Sequence, residues 1–571
     1  MYGLGINCYS HNSSASLLKN GEILFSAEEE RYDRIKYSQK FPRQAILAGL
    51  QHCGIEPGEI EYVTYYFKPY LELTKNLTHA LTYFPSSLQL FTAKGGSDLS
   101  FLKRQRLQAG LGQTCRDEIG VNLPVQYIEH HLAHAASVFY PSNFDESAIL
   151  TWDGRGESDT VLISHGQGHK INKIQSIKTP HSIGHLYSAI TAHLGFTPFH
   201  DEWKVMGMSA YGSDKYLKKF RQLVTCDDQG HFRIDLSYFS FHFKGASEWT
   251  NQKFQNQFGP TRFARDEILQ SHFDLAFALQ KTTEEIGVKL ARFVEKLKLS
   301  RNLCMTGGVA LNVLLNKKII EQTDFKDYFI QPVATDAGTS FGSALYYYHH
   351  VLNKTDRQPF KTPYLGSQFT DAEIEQEILK RKMTYTKPEN KARVTAQAIA
   401  DNKVVGWFQG RQECGPRALG NRSILANPTR PEMKDLLNAR VKRREHFRPF
   451  APSVLEEKCH DYFIMPKSLL SPYMILSGEV KDHIKPLLPA VTHVDGTARV
   501  HTVCKATNPE YWDVIHEFGE LSGVSVVLNT SFNENEPIVT TPAEALDCFQ
   551  RTKIDFICIG SFCIEKNSVE G

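Results

Sequence analysis

Residues 2–30, YGLGINCYSHNSSASLLKNGEILFSAEEE, decide the fold. Residues 2–8 form an apolar strand and 9–13 a polar turn. A second strand, ASLLK, then runs into Asn20-Gly21, a dipeptide suited to the positive φ angles of a two-residue hairpin, and returns as EILFSAEEE. The same grammar recurs at 147–164, where SAILTWD passes through the glycine loop GRGE into TVLIS. Two copies predict a duplicated domain. Apolar residues near a 3.6 period predict a helix over 273–297, and RNLCMTGGVALNVLLNKK (301–318) reads as strand, glycine turn and helix, a form that offers helix N-terminal N–H groups to a phosphate or sugar. The polar, proline-bearing stretch 352–368 marks a boundary between domains 1–355 and 366–571. Beyond it, VTAQAIADNKVVGWFQG reads as helix then strand, with further strands in VSVVLNTSF and DFICIG, so the second domain is also α/β.

The chain has 571 residues, enough for two to four domains with sizeable cores, which excludes a small disulfide-stapled fold. Its 65 basic and 63 acidic residues balance to a net charge of +2, so bulk electrostatics favours neither nucleic acid nor an acidic membrane as partner. No apolar run approaches the ~18 residues of a membrane helix. The N-terminal MYGLGINCYS lacks the pattern of a secretory signal, so the cytoplasm is the expected compartment. Eleven scattered cysteines without a C-x-x-C pair fit reduced thiols. Phosphate-loop, zincin and kinase signatures are all missing from the sequence.

Three constellations carry chemistry. In EHHLAH, His130 and His134 are four apart and share one helix face, while His131 points elsewhere. Asp153, closing AILTWD, and Asp336, in ATDAGTSFG, stand at strand ends, and two imidazoles with two carboxylates suit iron, manganese or zinc. His181 and His185 form a rival pair of the same spacing at a helix start. Second, in GRQECGPRALGNRSILANP and ARVKRREHFRPFAPS, Arg417, Arg422 and Arg448 lie among apolar and turn residues, where guanidinium forks can take phosphate oxygens, whereas Lys442-Arg443-Arg444 reads as exposed. Arg499, Asn529 and Ser531 end strands and complete an anion pocket. Third, His11 follows the first strand at its ligand end, and Lys36 is open to either ligand contact or solvent. The stretches 67–111 and 225–265 carry no pattern that can be read.

The repeat resembles the actin, sugar-kinase and heat-shock ATPase superfamily. HNSSAS, AEEER, HHLAHAAS, DGRGE, EWKVMGMSAYG, TGGVALN, TDAGTSFGSAL, GPRALGNRSILANP, FRPFAPSV and LNTSFN together resemble, in order and across nearly the whole chain, the O-carbamoyltransferases of antibiotic and nodulation-factor pathways. The resemblance implies an N-terminal duplicated actin-like ATPase fold, similar to the tRNA threonylcarbamoyl-transfer proteins, and a C-terminal YrdC-like α/β domain. It implies that carbamoyl phosphate and ATP, with Mg(2+), give carbamoyl-adenylate in the second domain, and that the first transfers the carbamoyl group to a small-molecule alcohol. By motif position it makes His130, His134, Asp153 and Asp336 ligands of Fe(2+). Lys36, Asp153, Gly184, Asn312 and Asn316 would contact the carbamoyl-adenylate, and Arg417, Arg448, Arg499, Asn529 and Ser531 would bind carbamoyl phosphate and ATP. His11 would be the general base. Asn12 departs from the family, in which an Asp is frequent there. A homodimer is compatible with these readings. A kinase on the same fold would leave GPRALGNR unexplained; a tRNA-modifying or hydrogenase-maturation factor would share both domain types, but here lacks, respectively, a basic bias and the acylphosphatase and zinc modules.

Overall fold

In the computed structural model, residues 1–88 and 99–566 are described; part of the unreadable stretch 67–111 therefore lies outside the described residues. The chain divides into two units, Met1–Glu29 with Tyr37–Phe360, and Glu30–Lys36 with Lys361–Gly571.

The duplication expected from the sequence is present in the first unit as two five-stranded sheets of identical topology. Strands β1 (Tyr2–Asn7), β2 (Ser14–Lys19) and β3 (Glu22–Glu28) form an antiparallel meander, and β4 (Ile60–Tyr65) and β5 (Val125–Tyr127) extend it in parallel from β1, for the order β3-β2-β1-β4-β5. In the second sheet β6 (Glu146–Trp152), β7 (Asp159–Gln167) and β8 (Lys170–Lys178) repeat the meander. After a small hairpin of β9 (Val224–Cys226) and β10 (Phe232–Ile234), β11 (Asn302–Thr306) and β12 (Asp327–Ile330) extend that sheet in parallel from β6. Strands β1 and β6 are the equivalent central strands, nearly continuous in buried residues as strands covered on both faces must be. The mixed order, with parallel extensions reached through helices, is the duplicated actin-like α/β fold. The predicted helix is observed as Gln270–Lys296.

Two helices bring the repeats together. Helix His130–Phe139 is buried along its whole length, and Thr339–Leu345 packs on it. The close approach requires Gly342, because a Cβ there would stand 2.1 Å from the Ala133 carbonyl oxygen.

The second unit is built on a nine-stranded mixed sheet. The strands read from the sequence appear as β13 (Val405–Phe408), which follows the helix Lys391–Ala400, β14 (Val526–Ser531) and β15 (Phe556–Ile559). Its core gathers Trp407, Tyr511, Phe518 and Val527 between the sheet and the helices Lys391–Ala400 and Pro509–Ser522. Residues 30–36 complete this unit. Arg31 Nη2 donates to the Gly415 carbonyl at 2.9 Å, the Tyr32 and Ser367 hydroxyls lie 2.8 Å apart, and Arg34 donates to the carbonyls of Pro537 and Ile538 at 2.6 and 2.9 Å. Lys36 is exposed at the end of this segment.

Candidate active site

His130 begins its helix directly after Glu129, and the four-residue spacing turns His130 and His134 to the same side. Asp153 follows the last residue of β6, and Asp336 opens a short turn whose start is capped by the Thr335 hydroxyl. The chain thereby brings His130, His134, Asp153 and Asp336 together, with one donor atom from each lying within 4.8 Å of all the others. His130 Nε2 is 3.0 Å from Asp153 Oδ2 and 3.7 Å from Asp336 Oδ1; His134 Nε2 is 3.5 Å from both carboxylates. Both imidazoles are sealed from solvent. Burial alone would lower the His134 pKa, but the two carboxylates outweigh it and raise it to about 9. Burial alone would raise the Asp153 pKa, but the two histidines hold it well below the usual carboxylate range. Buried His134 Nε2 has no well-formed hydrogen bond, so this donor set, two imidazole nitrogens and two carboxylate oxygens converging on one point, fits a divalent transition metal.

His131 points away, as its spacing requires: Nδ1 is 3.0 Å from the Thr151 hydroxyl and Nε2 2.9 Å from the Asp159 carbonyl. The rival pair does not form a second cluster. The helix starts at Ile183 with Ser182 as its cap, so His181 lies before it, where its Nδ1 accepts from the Ile234 N–H at 3.1 Å, and an i,i+4 face never exists. Gly184 allows this helix to meet the loop after β6, since a Cβ would stand 2.7 Å from the Gly154 nitrogen. Asn312 caps helix Val313–Gln322 through the Leu315 N–H at 3.0 Å and exchanges hydrogen bonds with Gln280 at 2.8 and 3.1 Å. Asn316, fully buried on the same helix, donates to the Ala310 carbonyl at 2.8 Å.

His11 lies beside the cluster, its Nε2 3.8 Å from Asp336 Oδ2. Asn12 supplies its partner: held at φ 58°, it places Oδ1 2.9 Å from His11 Nδ1. Nδ1–H donating to that oxygen leaves Nε2 as the lone-pair nitrogen. Burial lowers the His11 pKa, and Asp336 and Asp153 more than restore it.

In the second unit Arg417, Arg448 and Arg499 are half-buried. Burial lowers the Arg499 pKa well below its ordinary value, and repulsion from Arg417 and Arg444 adds to the effect. Arg444 is likewise lowered to about 9, by burial and by Arg448. Buried Arg444 Nη2 and Arg499 Nε meet no hydrogen-bond partner among the described residues. Clustered cations of this kind suit an anion chemically. Asn529 joins the two motifs around it, donating at 3.0 Å to both the Ala418 carbonyl and the Ser453 hydroxyl.

Two readings of this region are corrected. Lys442 is not exposed but 2% accessible, its Nζ donating to the carbonyls of Ser531 and Asn533 and to Asn533 Oδ1 at 2.5, 2.7 and 2.7 Å. A π-helical turn over Asn438–Lys442 rotates it inward, and Arg443, at φ 43°, takes the solvent position alone. Basic runs alternate between solvent and site when such a turn interrupts them, and only the flanking Val441 and Phe447 hinted at burial here. Arg422 is not a phosphate fork: fully buried, it donates to the carbonyls of Gln409, Gly410 and Asn421 and stacks on Phe408 at 3.6 Å.

Comparison with known proteins agrees with this architecture. Family models described as carbamoyltransferase N-terminus and C-terminus match residues 3–345 and 396–566. The uncharacterized Synechocystis protein sll1178 is 38% identical across 99% of this chain and 97% of its own length. The nodulation protein NolNO of Sinorhizobium fredii is 35% identical across 98% of this chain and 80% of its own. Among solved structures, component A of the Acidaminococcus fermentans (R)-2-hydroxyglutaryl-CoA dehydratase covers 62% of this chain and 99% of its own at a TM-score of 0.34 and 14% identity, too low to add to the topology. With both family halves matched in order along one chain, this protein belongs to the carbamoyltransferase family and is a carbamoyltransferase.

Proposed function

We propose that the protein is an ATP-dependent O-carbamoyltransferase that makes carbamoyl-adenylate from carbamoyl phosphate and ATP and passes the carbamoyl group to the hydroxyl of a small-molecule alcohol. The observation that carries this reading is the presence, in one chain, of two residue clusters of different chemistry: a buried His/Asp cluster beside His11, and an arginine cluster in which buried Arg444 Nη2 and Arg499 Nε have no hydrogen-bond partner among the described residues.

Adenylation needs negative charge gathered from two substrates. Arg417, Arg448, Arg499 and Arg444 offset that charge and orient the phosphates through forked N–H groups, while Asn529 ties the loop that carries Arg417 to the strand that carries Ser453. Lys442, tied to Ser531 and Asn533, holds the floor of the same region. Carbamoyl phosphate, ATP and one water give carbamoyl-adenylate, pyrophosphate and phosphate: water displaces phosphate from carbamoyl phosphate, and the resulting carbamate oxygen attacks the α-phosphorus of ATP as pyrophosphate departs.

Transfer needs a base for the alcohol and stabilisation of the carbonyl oxygen. His11, oriented by Asn12, accepts the hydroxyl proton on Nε2 as the alcohol oxygen attacks the carbamoyl carbon and AMP departs; such a base contributes ~10²–10⁴ in rate. His130, His134, Asp153 and Asp336 would hold a divalent metal, Fe(2+) by family resemblance, which supplies Lewis-acid polarisation of the carbonyl when bound. Gln280 and Tyr187 brace Asn312 on the wall of the same unit.

Incubation with ATP and carbamoyl phosphate alone tests the first half. Pyrophosphate and carbamoyl-AMP are the expected products by mass spectrometry. Formation of ADP instead would contradict adenylation and favour a kinase-type use of the nucleotide.

A further inference from the structure

The helix that carries His130 and His134 starts without a cap of its own. Its N-cap residue, Glu129, makes no side-chain bond to the first turn, because its carboxylate pairs instead with Lys68 at 3.3 Å and with Lys173. His130 stands at the first helical position, where backbone N–H groups have no partner within the helix and the turn is held most loosely. His134, one turn further in, has the helix on both sides. A ligand on the loosest turn needs an acceptor from elsewhere, the more so because His130 is 1% accessible and a buried N–H left unpaired is costly.

That acceptor is Glu157, four residues beyond Asp153 on the loop that follows β6. Its buried carboxylate takes the His130 N–H on both oxygens, at 3.2 and 3.3 Å, and the Lys68 N–H on Oε1 at 2.9 Å. The loop comes this close because residue 156 is glycine: a Cβ there would stand 2.9 Å from the His131 ring and 3.2 Å from His130 Cβ. Lys68 in turn closes the segment whose Tyr66 and Phe67 pack against the His130 ring at 5.4 and 5.3 Å. One carboxylate therefore joins three segments: 66–68 beside the ring, the helix start that bears His130, and the loop that begins with Asp153.

We infer that Glu157 is a positioning residue for the metal site, fixing His130 relative to Asp153 so that the four donors converge. The inference rests on the metal reading proposed above. Glu157 is not itself a donor to that site, since N–H groups take both its oxygens and His130, His134, Asp153 and Asp336 form the cluster without it. Partners of this outer kind commonly account for about 10–100-fold in metal affinity. A carboxylate at a helix N-terminus is also favoured by the helix dipole, so reach and charge are separable contributions. The hydrogen bonds to two backbone N–H groups make reach the one that positions.

Cobalt(II) titrated into the metal-free full-length protein against a competing chelator, followed by visible absorption, tests this with two variants. Glu157→Gln keeps the length and one acceptor oxygen but loses the charge. Glu157→Asp keeps the charge but is one methylene too short to reach both N–H groups. Affinity is read per folded molecule, from far-UV circular dichroism. It should fall by about 10–100-fold in Glu157→Asp, with shifted ligand-field bands as His130 leaves its place, and the loss should be smaller in Glu157→Gln. Unchanged affinity and bands in Glu157→Asp, or weaker binding in Glu157→Gln than in Glu157→Asp, would overturn the positioning role. Failure of the wild-type protein to take up cobalt would instead overturn the metal reading, and this inference with it.

Discussion

Lys442 shows what a single side chain can settle. A buried ammonium is tolerated only when each of its protons is accepted, and its three partners belong to the end of the strand Val526–Ser531 and the loop after it. Lys442→Met should therefore leave the buried Asn533 carbonyl without a donor, the Ser531 carbonyl keeping the Asn533 N–H at 3.0 Å, at a cost of about 1–3 kcal/mol. We expect a lower unfolding temperature together with at least tenfold slower pyrophosphate release; unchanged release in a folded variant would remove Lys442 from the anion site. Arg444→Ala should weaken carbamoyl phosphate or ATP by roughly tenfold or more, the worth of a charge-assisted hydrogen bond of ~1.5–3 kcal/mol, read as a rise in KM. In the first unit His134→Ala removes one of four converging donors, and elemental analysis should show metal content collapsing there while His185→Ala keeps it. The opposite pattern would move the site.

At the scale of elements, the meander of 2–30 was legible because alternation, the Asn20-Gly21 turn and a second copy all agree, and the observed strands follow them within a residue or two. The His130–His134 spacing was legible because a four-residue step is a geometric property of any helix. What could not be read depends on long-range packing. The rotation of Lys442 follows from a π-helical turn, and Arg422 is consumed by carbonyls that only the fold brings together. Nor does any residue type mark 30–36 as part of the second unit. That assignment has a consequence for Arg34, which donates to two carbonyls and pairs with Glu544 at 3.1 Å. Arg34→Ala should cost about 1–3 kcal/mol in a unit of that size, a drop of ~3–10 °C in its calorimetric transition. A transition unmoved by the substitution would show that the segment is dispensable to the unit.

For the whole molecule, the many buried neutral histidines set the response to acid. Burial lowers His193 and His242 to about 4 and His501 to about 3, with nearby histidines adding to the effect for the first two. Each takes up a proton more readily when unfolded, near pH 6.5, than when folded. Their contribution to stability is full above that pH and falls as pH drops towards 4, by about 1.4 kcal/mol per pH unit for each. The unfolding temperature should accordingly decline from below pH 6.5, well above the carboxylate range; a flat profile from pH 7 to 5 would contradict the burial of these rings. In the proposed reaction one chain carries out two half-reactions with two sets of residues. The measurement that tests it most directly is pyrophosphate release dependent on carbamoyl phosphate, made on Arg417→Ala and His11→Ala side by side with the yield of carbamoylated acceptor. Arg417→Ala should lose both, whereas His11→Ala should release pyrophosphate and make no product. Equal loss of pyrophosphate release in the two variants would contradict it.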